Sequence, residues 1–266
     1  MKYILAFIFA LQSLCWSEPL LVAYWAFESN AGNIAVDSSS HQYNGSVSGA
    51  QVVTGAVGNA YEFNGTTNHV NLAADPIFDG YTSFTVQAWV RPYSKNNTEY
   101  PTIIEKYAGA SSYDMPWVGY YEGNDQWGWE ITTNASENVY RHTGISVSFG
   151  VWSHVVYSID IASKVGKFYL NGQLRDTYNM SISGTKMSSN PGGLIDIADI
   201  EYISRTHAWK GTIDELAVWN GALNADQVHG LYLSGVQIPE PSIFYLMALG
   251  CLAYILKTKS SARAKS

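Results

Sequence analysis

Residues Phe84 to Val90 alternate without a break. Phe84, Val86, Ala88 and Val90 fall on one side of an extended chain, and Thr85, Gln87 and Trp89 on the other. A period of two marks a strand with one face in a core. The pattern recurs. Trp152 to Ile159 reads as a strand. Lys167-Phe168-Tyr169-Leu170 runs into Asn171-Gly172, both of which tolerate positive φ and so mark a tight hairpin, and Gln173-Leu174-Arg175 returns. Helix signals are sparse. The best runs from Asn224 to Leu233, with Asn224 as a cap and Ala225, Val228, Leu231 and Tyr232 near one face. Short strands separated by Gly, Asn, Asp and Ser clusters predict an all-β fold. The expected form is a two-sheet antiparallel β-sandwich or jelly roll, with only short helical segments at its ends.

Composition removes several functions. Hydrophobic residues make up 47% of the 266, too many for a disordered chain. The net charge of -7 argues against a nucleic-acid partner, which needs a basic patch. Two cysteines, Cys15 and Cys251, are too few for a disulfide scaffold.

Both ends read as addresses rather than as fold. Lys2, an apolar run from Tyr3 to Leu11 and small residues at Cys15 and Ser17 fit a signal peptide, 1–17, cut before Glu18. A first buried strand or helix is the alternative. At the other end come Pro239-Glu240-Pro241, the apolar run 243–256, and Lys257, Lys259, Arg263 and Lys265. As a helix that run spans roughly 21 Å, short of the ~30 Å hydrocarbon core. The basic tail still favours a membrane segment with its charges held on the cytoplasmic side. Without residues 1–17 and 242–266, 10 basic and 22 acidic residues remain, a net charge of -12, with no cysteine. One domain, 18–236, is expected, followed by a sorting region, 237–266.

The tail resembles the PEP-CTERM sorting signal of Gram-negative bacteria. The resemblance implies an exosortase-type membrane transpeptidase as partner, cleavage near Pro239-Glu240-Pro241, and delivery to the cell surface or extracellular matrix. A permanent single-span anchor is the alternative. Within 18–236, several segments occur in a familiar order: Trp25-Ala26-Phe27-Glu28, Tyr61-Glu62-Phe63-Asn64-Gly65, Phe84 to Pro92, Trp152-Ser153-His154-Val155, Phe168 to Gly172, and Trp209 to Trp219. Together they resemble the LamG-like jelly roll of the concanavalin A-like lectin/glucanase superfamily. The resemblance implies a structural calcium held by Asp214 with Glu28 as partner, and Asp37 and Asn64 adding oxygens. Calcium takes 6–8 oxygen ligands, so Asp, Asn and Gly turns suit it.

Catalysis is not expected. Retaining glycoside hydrolysis needs two carboxylates ~5–5.5 Å apart. The Glu-x-Asp-x-x-Glu strand of the glucanase relatives does not occur. Asp196, Asp199 and Glu201 cluster at intervals of three and two, and read as a solvated edge or metal-adjacent loop. The six histidines show no close metal-ligand pairing, and His154 reads as structural.

The densest hint of binding is Tyr113 to Glu130, a hairpin with Glu122-Gly123-Asn124-Asp125 at its tip. Trp117 and Tyr121 share a face of its first strand, and Trp127 and Trp129 share a face of the second. Flat rings beside Gly, Asn, Asp and Glu suit stacking on sugars at low entropy cost. Core packing is the competing reading, since Trp and Tyr are ordinary strand residues. The sequence therefore points to a secreted, surface-sorted, non-catalytic module for carbohydrate, such as an exopolysaccharide, or for a matrix polymer. A glycan-acting hydrolase with an atypical site, or a purely structural matrix protein, are the alternatives.

Overall fold

The computed structural model describes residues 18–72, 76–95, 99–107, 116–199 and 207–237. The signal segment 1–17, the motif Pro239-Glu240-Pro241, the run 243–256, Tyr113 and Glu201 lie outside them. The chain divides into two compact units, residues 1–236 and 237–266, and every element below belongs to the first.

Sixteen strands occur among the described residues. They begin with β1 (Leu20–Trp25), β2 (Ile34–Ala35), β3 (Gly45–Ser48), β4 (Gln51–Thr54), β5 (Asn59–Asn64) and β6 (His69–Leu72). Next come β7 (Ser83–Pro92), β8 (Thr102–Tyr107), β9 (Pro116–Tyr121), β10 (Gln126–Thr132) and β11 (Asn138–Ser146). β12 (Ser153–Asp160), β13 (Val165–Leu170), β14 (Gln173–Asn179), β15 (Leu194–Ile197) and β16 (Lys210–Asn220) precede the helix α1 (Ala225–Ser234).

The strands form two eight-stranded antiparallel sheets, the sandwich expected from the alternation. One runs β14-β13-β12-β7-β16-β5-β4, with β1 also paired to β16. The other runs β11-β10-β9-β8-β15-β6-β3-β2. Phe84, Val86, Ala88 and Val90 of β7 all enter the core between the sheets, where they meet Val118, Tyr120, Ile104 and Ile197 of the second sheet. Asn171 and Gly172 take φ of 52° and 74°, the paired left-handed conformation of a two-residue hairpin turn.

Helix α1 is fixed at its start by a reciprocal cap. Gln227 N donates to Asn224 Oδ1 at 3.0 Å and Asn224 N to Gln227 Oε1 at 2.9 Å. Its Val228 packs with Leu21, Tyr24, Val156, Tyr169, Ala217 and Trp219 on the outer face of the first sheet. That face is thus closed by the helix. Among the described residues no helix covers the outer face of the second.

Candidate functional site on the outer face of the second sheet

Strand pairing fixes which side chains share the second sheet's outer face. Ser46, Asn71, Asp196, Glu105, Trp117, Glu130 and Tyr140 are successive register partners across β3, β6, β15, β8, β9, β10 and β11. They form one transverse row. Three of its members are acids drawn from three distant parts of the sequence. Asn71 Nδ2 donates to Asp196 Oδ1 at 2.8 Å. Asp196 and Glu105 face each other directly, an arrangement that costs stability for two like charges.

A charge partner stands beside Glu105. His207 Nδ1 lies 2.7 Å from Glu105 Oε2, and both residues are buried. Burial alone would lower the His207 pKa, but Glu105, Asp199 and Glu130 outweigh it and raise the pKa above the ordinary imidazole value. Thr102 Oγ1 donates to the same Oε2 at 3.0 Å and accepts from Trp117 Nε1 at 2.7 Å. Glu105 Oε1 is buried without a hydrogen-bond partner.

Aromatic rings cap this network. Tyr100 meets Trp117 and Tyr121 edge-on, with centroids 5.9 and 5.4 Å apart. Backbone approach makes room for them: a Cβ on Gly119 would sit 2.0 Å from Pro101 O, so the chain before β8 can cross β9 only over glycine. The Tyr121 ring leans over Gly128, where a Cβ would lie 2.3 Å from it, and stacks on His142. His142 Nδ1 lies 2.6 Å from Asn124 Nδ2, and burial followed by Arg141 lowers the His142 pKa. The lean carries the Tyr121 hydroxyl towards Glu130. That hydroxyl is buried without a partner, and burial, then Glu130, Tyr100 and Tyr140, push its pKa up. Glu130 is half-buried; burial, then Glu105, raise its pKa, with His207 opposing. Beside it Tyr140 is 65% exposed.

The four aromatics of the hairpin therefore separate. The hairpin itself forms as expected, but Gly128 pairs with Gly119, so Trp127 sits opposite Tyr120 and shares the inner face with Val118. Trp127 and Trp129 are core residues, 0% and 1% exposed, and cannot stack on a sugar. Trp117 and Tyr121 do lie on the outer face, but beneath Tyr100, and are 1% and 7% exposed. Sequence reasoning missed Tyr140, Glu130, Glu105 and His142. The even spacing of Tyr140 and His142 along β11 is visible in the sequence, but the neighbours of all four across the sheet are not. Asp196 is buried rather than at a solvated edge, because β15 lies inside the sheet, and Asp199, just beyond the strand, is buried as well.

The expected calcium ligands also separate. Asp214 Oδ2 accepts from Ala56 N and Val57 N, each at 2.9 Å, in the turn between β4 and β5. Its Oδ1 is buried without a partner, and burial, then Glu215, push the carboxyl up to about 7. A bulge in β16 follows Asp214, with Glu215 at φ 52°, and Glu215 Oε1 accepts from the Tyr24 hydroxyl at 2.8 Å. Glu28 reaches the same turn: its Oε2 accepts from Asn59 N at 3.1 Å. Asp37 does not join them. Tyr24 N, Ser39 N, Ser39 Oγ and Tyr43 N donate to its two oxygens and saturate them. Asn64 spends its Oδ1 on the amides of Thr66, Thr67 and Asn68 in its own turn. Among the described residues no three His, Cys, Asp or Glu side chains are grouped to hold a metal.

Known proteins share this architecture. Domain 4 of AbnA, a GH43 extracellular arabinanase from Geobacillus stearothermophilus solved in complex with arabinotriose, is 20% identical with a TM-score of 0.62; the match covers 81% of this chain and 100% of that one. The binding domain of Paraclostridial Mosquitocidal Protein 1 is 18% identical at TM-score 0.60, over 80% of this chain and 52% of that one. The botulinum neurotoxin serotype G binding domain is 18% identical at 0.57, over 80% and 50%. The chain thus spans about half the length of the two toxin domains. At such identities the likeness speaks for the fold. No curated protein sequence matches the chain. The Laminin_G_3 model matches residues 64–229, well over half of the sequence, and the chain belongs to that family of the concanavalin A-like lectin/glucanases superfamily.

Proposed function

We propose that this protein is an exported, non-catalytic module that binds carbohydrate on the outer face of its second sheet. The observation that carries the reading is the row Glu105-Trp117-Glu130-Tyr140. It sets an exposed ring beside a half-buried carboxylate and an unpartnered tyrosine hydroxyl. A sugar offers a CH face for Tyr140 and hydroxyls for Glu130, and Tyr121 lies behind them as the group whose hydroxyl is left unmatched. Trp117 supports these groups from below. The arabinanase domain with arabinotriose gives the reading a precedent on the same fold.

The row also raises the hydrolytic reading. Glu105 and Glu130 stand two strands apart, roughly 9.5 Å between backbones. Inverting glycosidases use carboxyls ~6.5–9.5 Å apart. Glu105, however, is fully buried and held by Thr102 and His207, so it does not reach a glycosidic bond. Binding is therefore the better-supported activity.

Export rests on the segment 1–17, and surface sorting on Pro239-Glu240-Pro241 with 243–256 and the basic tail. In this reading an exosortase-type enzyme processes the tail after transient membrane insertion. Asp214 and Glu28 at the β4–β5 turn would hold a calcium ion, which would supply charge to match the unpartnered Asp214 Oδ1. Glycan arrays and polysaccharide pull-down with the protein test the binding. Retention by the wild type and loss in Tyr140→Ala, Tyr121→Phe is the expected result. Equal retention by that folded double variant removes this face from the account.

A further inference from the structure

Glu130 is the acid of the row that no described side chain neutralises by contact, although His207 eases its ionisation from a distance. It is half-buried between Trp117 and Tyr140, and no described group donates a hydrogen bond to it. A partly desolvated carboxylate without a hydrogen-bond partner in the fold carries a cost. Two further atoms on the same face are left unmatched, Tyr121 Oη and the fully buried Glu105 Oε1.

The surroundings decide what completes them. The face is acidic, with Asp196, Glu105 and Glu130 in one row. An anionic sugar brought here meets like charge. A neutral sugar satisfies hydroxyls but leaves the carboxylate uncompensated. An ammonium group supplies three donors and the missing charge, and the exposed Tyr140 ring beside Glu130 favours a cation. A lysine side chain carries the same charge but no ring face for Tyr140 to cover.

We infer that the outer face of the second sheet selects glycans carrying free amino groups, with Glu130 receiving the ammonium and Tyr140 stacking on the sugar that bears it. The inference rests on the glycan-binding reading above and names its ligand class. Burial, then Glu105, raises the Glu130 pKa, and a bound cation acts in the opposite direction.

The test is calorimetric titration of the full-length protein, at mildly acidic pH, with a glucosamine hexamer. The matching N-acetylglucosamine and glucose hexamers, and a lysine hexamer, serve as comparisons. The glucosamine hexamer is expected to bind about tenfold or more tightly than the N-acetylated one, the scale of one charge-assisted hydrogen bond, and to weaken with salt. Glu130→Gln, which keeps the shape of the side chain, is expected to bring the amine and acetyl ligands to similar affinity. Tyr140→Ala, at an exposed position, is expected to weaken both alike. Equal binding of the amine and acetyl hexamers by the wild type overturns the amine selectivity and leaves glycan binding standing. So does an amine preference that survives Glu130→Gln. Tighter binding of the lysine hexamer overturns it in favour of a cationic peptide. No binding of any sugar overturns both this inference and the reading beneath it.

Discussion

The imidazole of His142 lies flat on the ring of Tyr121, with centroids 3.7 Å apart and planes 12° from parallel. The two residues stand on β11 and β9, with β10 between them. They meet because Gly128 leaves the intervening position empty. Stacking therefore fixes the direction of the Tyr121 hydroxyl. His142→Phe keeps a ring in place and should preserve glycan affinity, whereas His142→Ala should weaken it several-fold with little change in stability. Gly128→Ala pushes a methyl into the Tyr121 ring, costs about 1–3 kcal/mol, and should weaken binding further. Affinity and denaturant midpoints measured on the three variants separate these effects.

Core and site aromatics should respond in opposite ways. Trp129 fills the space between the sheets so closely that a Cβ on Gly166 would lie 2.5 Å from its ring. Trp129→Ala should cost ~3–5 kcal/mol in urea unfolding. Tyr140→Ala should stay within ~0.5 kcal/mol and instead reduce binding. If Tyr140→Ala unfolds the protein as readily as Trp129→Ala, Tyr140 is a packing residue and the site loses its exposed ring.

The sequence made the strands legible but not their neighbours. Alternation at Phe84–Val90 identifies a strand and its buried side, because a period of two admits one core face. Asn171-Gly172 identifies its turn through backbone conformation alone. Which face of β10 continues that of β9 depends on register, and Gly128 opposite Gly119 puts Trp127 with Tyr120 rather than with Tyr121. The acidic row is harder still to foresee. Asp196 meets Glu105 only because β15 inserts between β8 and β6, a pairing that no local pattern encodes. Asp214 was legible as a special position, whereas the saturation of Asp37 by four donors was not.

His154 gives the fold a pH dependence with a definite sign. Burial lowers its pKa to about 4, and its Nε2 lies 2.6 Å from Gln87 Oε1. In the unfolded chain its pKa is about 6.5. Between these values the unfolded state binds the proton and the native state does not. Stability therefore falls by roughly 2–3 kcal/mol as pH drops from about 6.5 to about 4. His207 acts oppositely: its raised pKa contributes stability that is fully present below about 6.5 and is lost as pH rises through the folded value. Urea unfolding from about pH 6.5 to about pH 4 should show a shallower acid loss in His154→Gln, whereas His207→Gln should leave that limb unchanged and alter the slope only above about 6.5. An unaltered slope in His154→Gln assigns the acid loss elsewhere.

Removal of calcium should act through Asp214 and not through Asp37. An ion bound only by the native state stabilises it by about 2.7 kcal/mol at a hundredfold excess over its Kd. Asp214 Oδ1 is the buried oxygen left unmatched at the β4–β5 turn, with Glu28 beside it. A chelator should therefore lower the thermal midpoint of the wild type, and added calcium should restore it. Asp214→Asn should respond to neither, because the amide offers no charge to the ion. Asp37→Asn should lower the midpoint outright, since it disturbs the four donors that fix Tyr24, Ser39 and Tyr43, yet should keep the full response to the ion. A wild-type midpoint that ignores both chelator and calcium leaves Asp214 as a hydrogen-bonded acid of the turn and withdraws the metal.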